Sequence, residues 1–218
     1  MSTATLQITE PSDLELAALI SSKICHDVIG PVGAIYNGLE VLDEDGDEKS
    51  RTYALDVIRN FTEQASAKLQ FARFAFGASG AAGTVIDLGN AESITRGFIG
   101  SGKHSLTWSA PRGQMAKDRA KLLLNMIASG QTALPKGGEL HVNVRGAIDQ
   151  PELEVRCKGQ GARLPQLLSD YLAGTNPADL DSLSVQAYYT ARLARTAGMR
   201  LEVGHDGADV VLIAKPGR

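Results

Sequence analysis

The run of small residues at 77–83, Gly-Ala-Ser-Gly-Ala-Ala-Gly, divides the chain into two stretches with different hydrophobic periodicities. It contains only Gly, Ala and Ser, a composition typical of a flexible linker. Before it, apolar residues recur every three or four positions, which indicates amphipathic helices. After it, short β-branched runs alternate with helical ones. The sequence therefore predicts a helical unit followed by a unit of mixed helices and strands.

Two long helices are predicted before the linker. The first spans residues 12–43, with Ser12 and Asp13 as candidate caps, and the second spans about 50–76. Two helices joined by a short polar loop form an antiparallel hairpin. Because such a hairpin cannot bury two wide apolar faces by itself, we expect it to dimerise into a four-helix bundle.

The stretch after the linker predicts an α/β sandwich. Helical runs such as 116–134 alternate with strand-like runs such as 139–145, which favours helices packed on one face of a mixed sheet. The fold class is therefore α+β. The expected divisions are a flexible N-terminus at 1–11, a helical and dimerising domain at 12–76, the linker at 77–83 and an α/β domain at 84–218.

The composition argues against several functional classes. A net charge of -3 gives no support for a nucleic-acid or acidic-membrane partner. The N-terminus lacks the basic-then-apolar order of a signal peptide, and no apolar run is expected to approach the roughly 20 residues of a membrane span. Two cysteines, Cys25 and Cys157, make no disulfide framework. A reduced, cytoplasmic location is the expectation.

His26 lies in the first predicted helix, on a face made mostly of small residues. Glycines inside a helix cost roughly 1 kcal/mol each relative to alanine, and Pro31 leaves the carbonyl of Asp27 without its helical donor. Such costs around an outward-pointing histidine indicate that another molecule approaches it closely. The helical neighbours of His26 are Ser22, Lys23, Ile29, Gly30 and Gly33, with Asn37 one turn further.

Three other interpretations of His26 are weaker. A lone histidine in a helix is commonly a surface residue with no function. Cys25 does not form a catalytic dyad with it, because adjacent helical positions diverge by about 100°. A zinc site built from Cys25, His26 and Cys157 lacks any ligand spacing.

The spacing of His26, Asp27 and Pro31 resembles the phosphoacceptor box of sensor histidine kinases, His-Asp/Glu-x-x-x-Pro. A neutral imidazole nitrogen is the nucleophile that takes a phosphoryl group. A neighbouring carboxylate can hold the proton of the other ring nitrogen. Open space around the ring allows in-line approach, and positioning provides most of the catalysis of phosphoryl transfer.

The segment Gly97–His104 is similar to a phosphate-binding loop but does not fit one. His104 replaces the hydroxyl residue that would meet magnesium, and a helix precedes the segment where the motif requires a strand. We interpret it as a tight turn.

The α/β half resembles the ATP-binding domain of histidine kinases, but the residues of its nucleotide site differ. The helix containing Asn125 resembles the asparagine box of that family, with Ser129 where the magnesium-binding asparagine belongs. Cys157 occupies the place of the adenine-binding aspartate, although Gly159 and Gly161 remain, and the last glycine box is absent. A thiol cannot replace the carboxylate that accepts from the adenine amino group. ATP binding is not expected.

A phosphoacceptor hairpin joined to such a domain resembles the ChpT family of bacterial histidine phosphotransferases over nearly the full length, most strongly at residues 25–42, CHDVIGPVGAIYNGLEVL. The resemblance implies a homodimer that relays phosphate from the receiver domain of a hybrid histidine kinase to that of a response regulator in cell-cycle phosphorelays. His26 would be the phosphorylated residue and Asp27 its acid/base neighbour. The receiver-docking residues would be Ser22, Lys23, Gly30, Pro31, Gly33 and Asn37.

This resemblance implies no cofactor of the chain's own, since Mg²⁺ belongs to the partner receivers. Two other functions stay open: an active histidine kinase that autophosphorylates with ATP, and a non-catalytic adaptor that binds receivers. The small residues around His26 have an alternative explanation too, which is tight helix packing within the bundle.

Overall fold

The computed structural model describes residues 10–44, 46–77, 85–100, 102–175 and 180–217. The predicted flexible N-terminus at 1–11 and the linker at 77–83 lie mostly outside these ranges.

The described helices and strands are, in chain order, α1 (Asp13–Asp43), α2 (Glu48–Ala75), β1 (Val85–Asp87), α3 (Leu88–Ile99), β2 (His104–Ser109), β3 (Gln114–Ala116), α4 (Lys117–Ala133), β4 (Gly138–Arg145), β5 (Glu152–Lys158), α5 (Gln166–Leu172), α6 (Val185–Thr196), β6 (Met199–Asp206) and β7 (Asp209–Pro216).

The predicted helical hairpin is confirmed. α1 begins at a capping box, in which the Ser12 hydroxyl accepts from the Glu15 N–H and the Glu15 carboxylate accepts from the Ser12 N–H. The helices run antiparallel, since Gly38 of α1 faces Ile58 of α2 while Asp27, earlier in α1, contacts Lys68, later in α2.

The C-terminal half is built on a five-stranded mixed sheet with strand order β2-β4-β5-β7-β6. β2 and β4 are parallel, and the other neighbouring pairs are antiparallel. The strand β3 was not predicted. It pairs with β1 over three residues, which is too short for an alternating pattern. One row of side chains crosses the whole sheet in register: Trp108, Val142, Val155, Leu212 and Val203.

The helix α4 is the centre of this half. Its residues 120–127 are all buried, so it presents no face to solvent over two turns. A helix buried on all sides needs cover from several elements. Those elements are the sheet below it and the helices α2, α3 and α6 around it. The predicted arrangement of helices on one face of a mixed sheet is therefore confirmed.

The C-terminal end of α2 is held by two side chains of α4. Asn125 Nδ2 donates to the carbonyl oxygen of Ala75 at 3.0 Å, and Lys121 Nζ donates to that of Phe76 at 3.3 Å. The last carbonyls of a helix have no partners within it. Burial lowers the pKa of Lys121. Stacking of Phe71 on Phe98, with ring centroids 3.7 Å apart, joins the same two halves.

The expectation that no apolar run approaches the length of a membrane span does not hold for α1. By length and composition, α1 qualifies as a helix that could cross a membrane. This is weak evidence, because long apolar helices of other kinds pass the same test. Many of the apolar side chains of α1 are exposed in the single chain, among them Ile29, Val32, Tyr36 and Leu39.

Candidate functional site

His26 points away from the hairpin, as its helical neighbours predicted. Its side chain is 63% exposed. At about 100° per residue, it lies opposite Ile24, Val28 and Ile35, which are partly covered. A Cβ added at Gly30 or Gly33, one and two turns further on, would meet nothing within 4 Å. The ring is therefore open to an incoming molecule over a flat surface.

The carboxylate of Asp27 lies between His26 and Lys23. Its Oδ1 atom is 3.6 Å from Nδ1 of His26, and its Oδ2 atom accepts from Lys23 Nζ at 2.9 Å. The distance to the ring is longer than a hydrogen bond, but such contacts often tighten when the reacting partner is bound. This geometry assigns the two ring nitrogens: Nδ1 faces the carboxylate, so Nε2 is left for a nucleophilic role.

The Asp27 carbonyl, which lacks a helical donor because residue 31 is proline, accepts a hydrogen bond from the other helix of the hairpin. Lys68 Nζ, from α2, donates to the carbonyl oxygen of Asp27 at 2.9 Å. Sequence reasoning missed Lys68. A signal was available, because Phe61, Ala65, Lys68 and Ala72 fall on one helical stripe and only the lysine is charged.

The predicted docking residues do not all share one surface. Ser22, Gly30, Gly33 and Asn37 are exposed together with His26. Pro31 is buried instead, on the same side of α1 as Gly38, which lies against Ile58 of α2. The Lys23 side chain is only 17% exposed and paired with Asp27. The prediction that Pro31 and Lys23 take part in docking does not fit these positions.

In the second half, the side chains at the nucleotide-box positions bind other parts of the protein. Besides Ala75, the Asn125 amide contacts Gln186, whose Nε2 donates to Asn125 Oδ1 at 2.6 Å. The Ser129 hydroxyl donates to the Asn125 carbonyl at 2.9 Å. Cys157 is fully buried, and its Sγ lies where a Cβ on Gly130 would collide with it. Burial raises the pKa of Cys157 to about 12.

Two neighbouring cavities lie near these residues. One, of about 470 Å³, is lined by Ser129, Arg163, Gln186 and several leucines. The other, of about 570 Å³, is a crevice between the two halves that extends from Gln186 to Asp27 and Lys68. Cys157 and Asn125 line neither cavity. The residues present therefore do not offer adenine or magnesium the groups that the kinase boxes provide.

The remaining motifs have structural explanations. The segment that is similar to a phosphate loop begins in the last turn of α3 and ends at the first residue of β2. The interpretation as a tight turn fits the described residues between the two elements, which start at the C-cap Gly100 with φ 65°. Cys25 is exposed on α1 whereas Cys157 is buried under α4. Among the residues that the structure describes, no group of three His, Cys, Asp or Glu side chains converges on a point.

A family model and a curated relative both show that the chain is similar to histidine phosphotransferases. The sequence profile of the family described as "Histidine phosphotransferase C-terminal domain" matches residues 88–209. The protein phosphotransferase ChpT of Brucella abortus (strain 2308) is 42% identical over 205 residues, covering 94% of this chain and 97% of that protein.

Solved structures extend the comparison to three dimensions. A bacterial phosphotransferase structure superimposes with a TM-score of 0.88 at 39% identity, covering 95% of this chain and 98% of that one. The histidine kinase AdeS of Acinetobacter baumannii is a distant likeness, with a TM-score of 0.45 at 10% identity over 88% of this chain and 97% of that one.

Proposed function

The chain belongs to the ChpT-type family of histidine phosphotransferases, and on that premise we propose that it relays phosphoryl groups between receiver domains through His26. The observation that supports this choice of residue is the exposed imidazole with its Nδ1 turned to the carboxylate of Asp27. The donor would be the receiver domain of a hybrid histidine kinase and the acceptor that of a response regulator. Regulation of the cell cycle is the output that the family resemblance suggests.

The transfer would proceed by in-line displacement. The lone pair of His26 Nε2 forms a bond to phosphorus as the bond from phosphorus to the donor's aspartate oxygen breaks, and that aspartate leaves as a carboxylate. The attacking ring becomes cationic and holds its proton on Nδ1. Asp27 accepts a hydrogen bond from this N–H and can take the proton. The reverse displacement on a second receiver completes the relay.

The Mg²⁺ that neutralises the transferring phosphate would come bound to the receivers. We propose that receivers dock on the exposed residues Ser22, Gly30, Gly33 and Asn37, where the small side chains leave room for close approach. The C-terminal half would serve as a scaffold beside this surface.

We also propose that the protein acts as a homodimer. Cys25, Ile29, Val32, Tyr36 and Leu39 follow one another at spacings of four and three, and all are exposed. This spacing is that of a helical packing seam. Leu55 and Leu69 of α2 are exposed as well. A second hairpin covering this seam would close a four-helix bundle and leave both copies of His26 outside it. A cytoplasmic location fits such partners.

ATP is not expected to bind or to phosphorylate His26. The support is that the Asn125 amide is bonded to Ala75 and Gln186, while Cys157 is buried beneath Gly130. An active kinase, the main alternative, would need both positions to face a nucleotide. A receiver-binding adaptor, the other alternative, would not need His26.

The test uses a receiver domain loaded with ³²P-phosphate and freed of ATP. After mixing, we expect acid-labile label on the wild-type protein and on the control variant His141→Ala, whose ring lies on the sheet beside Glu139. His26→Ala should take no label. Label from ATP alone would support the kinase, and receiver binding without any label would support the adaptor.

A further inference from the structure

The contact between Lys68 and Asp27 joins the two helices of the hairpin at the phosphoacceptor site. Lys68 lies on α2, 41 residues away in sequence, and its Nζ reaches the backbone carbonyl of the residue that follows His26. That carbonyl has no donor within α1, because position 31 is proline and has no N–H. A partly buried carbonyl without a donor is unfavourable, and the Lys68 ammonium supplies the missing donor.

Lys68 occupies a position on α2 where a charged side chain needs a hydrogen-bond partner. Lys68 lies on the inward stripe of α2 between Ala65 and Ala72, where an aliphatic residue would pack without needing a partner. Lysine is seldom placed on such a stripe unless its charge is paired or hydrogen-bonded. Lys68 also lines the crevice between the two halves, together with Asp27 and Lys23.

Asp27 is thereby held at both ends. Lys68 fixes its carbonyl and Lys23 fixes one carboxylate oxygen, each at 2.9 Å. The other carboxylate oxygen is the atom that faces the His26 ring. Rotation of the Asp27 side chain or bending of α1 at Pro31 would move that oxygen away from Nδ1.

We infer that Lys68 is a positioning residue for phosphoryl transfer: its bond to the carbonyl freed by Pro31 fixes α1 at Asp27 and so aims the carboxylate at Nδ1 of His26. This inference rests on the proposed function, in which Asp27 receives the Nδ1 proton. Lys68 itself touches neither the phosphoryl group nor the reacting nitrogen. Its effect depends on the hydrogen bond to the carbonyl, and therefore on Pro31.

That dependence gives a sharp test. Pro31→Ala restores an N–H at position 31 and hence a helical donor for the Asp27 carbonyl. The variants are Lys68→Met, Pro31→Ala, the double variant and Lys68→Arg, which keeps a donor. Lys49→Met is the matched control, because Lys49 is exposed at the start of the same helix.

The probe is potassium phosphoramidate, whose phosphorus–nitrogen bond breaks with release of ammonia as the His26 Nε2–phosphorus bond forms. ³¹P NMR follows the rate, and His26→Ala identifies the signal of this residue. We expect Lys68→Met to slow phosphorylation of His26 at least about 10-fold, since positioned acid–base groups contribute roughly 10²–10⁴-fold. Lys68→Arg should retain most of the rate, and Lys49→Met all of it. The double variant should react within about threefold of Pro31→Ala alone.

A second readout separates positioning from mere stability. When the His26 ring is uncharged, its ¹⁵N chemical shifts in the wild-type protein should show the proton on Nδ1, facing Asp27. In Lys68→Met, the tautomer with the proton on Nε2 should gain population. A double variant as slow as Lys68→Met, or a Lys68→Met variant with wild-type rate and tautomer, would overturn the inference. If Lys68→Met does not fold, the phosphorylation rates of Pro31→Ala and of the double variant are compared instead, and a much slower double variant would overturn the inference. In the separate assay with a ³²P-loaded receiver, label that persists on His26→Ala would instead refute the proposed function.

Discussion

The side-chain amide of Asn125 donates to the carbonyl oxygen of Ala75 at 3.0 Å, and so joins the central helix of the C-terminal half to the last turn of the hairpin. The same amide accepts from Gln186 of α6. Through these two bonds the Asn125 side chain connects three helices, α2, α4 and α6.

Replacing Asn125 by alanine should destabilise the fold. The change leaves the Ala75 carbonyl and the Gln186 amide buried without their partners, and each such group costs roughly 1–3 kcal/mol. We expect a loss of about 3 kcal/mol in the free energy of unfolding, measured by urea denaturation. Asn60→Ala, at an exposed position of α2, should have an effect below about 0.5 kcal/mol. Equal effects of the two substitutions would show that the Asn125 contacts contribute little.

Gly33→Ala should separate docking from packing. A Cβ at Gly33 meets nothing within 4 Å, so alanine should stabilise α1 by up to about 1 kcal/mol. If receivers dock on this surface, the same change should slow transfer from a phosphorylated receiver. Thermal unfolding and transfer kinetics measure the two effects.

The control for this substitution is Gly38→Ala, whose Cβ would lie 2.8 Å from Ile58 Cγ1 inside the hairpin. It should lower the melting temperature. A Gly33→Ala protein that is also less stable would favour the alternative explanation, in which the small residues serve helix packing.

Val32→Asp should dissociate the proposed dimer. Val32 is 50% exposed in the single chain and lies in the middle of the seam formed by Cys25, Ile29, Val32, Tyr36 and Leu39. Two unpaired carboxylates buried by symmetry should weaken association at least about 100-fold, which corresponds to about 2.7 kcal/mol. Sedimentation velocity should then show monomers. Asn60→Asp adds the same charge elsewhere on the hairpin and should remain dimeric. A Val32→Asp protein that sediments as a dimer would place the interface elsewhere.

Cys157 should stay unreactive in the native protein even in mildly alkaline solution. Only the thiolate attacks disulfide reagents, and burial raises the pKa of Cys157 to about 12. In the variant Cys25→Ser, Ellman's reagent should therefore label no thiol at pH 9 until denaturant unfolds the chain, after which one thiol should react. Rapid labelling of the native variant would show that Cys157, which occupies the place of the kinase adenine-binding aspartate, is open to small molecules.

Local signals in the sequence were sufficient for much of this molecule. Ser12 and Glu15 specify the start of α1 through neighbouring backbone groups, and the small residues beside His26 predicted its exposure correctly. The sequence was less informative about which side of α1 is covered. Pro31 and Lys23 are close to His26 along α1, but Pro31 is buried and Lys23 is paired with Asp27.

The contacts missed from the sequence join residues far apart in the chain. Asn125 meets residues 50 and 61 positions away, and Lys68 meets one 41 positions away. Helical periodicity specifies which face a residue occupies, but it cannot name the atom that lies opposite. The Asp27 carbonyl without a helical donor was predicted from Pro31, whereas Lys68 was missed. Only the packing of the hairpin shows that the two groups are partners.

The most direct test of the relay is a chase experiment without ATP. A donor receiver with ³²P-phosphate on its aspartate is mixed with an acceptor receiver and a catalytic amount of this protein. We predict that label reaches the acceptor in the presence of the wild-type protein or His141→Ala, passing through an acid-labile species on this chain, and that His26→Ala blocks the transfer. Label that reaches the acceptor equally well with His26→Ala, or only after ATP is added, would contradict the account.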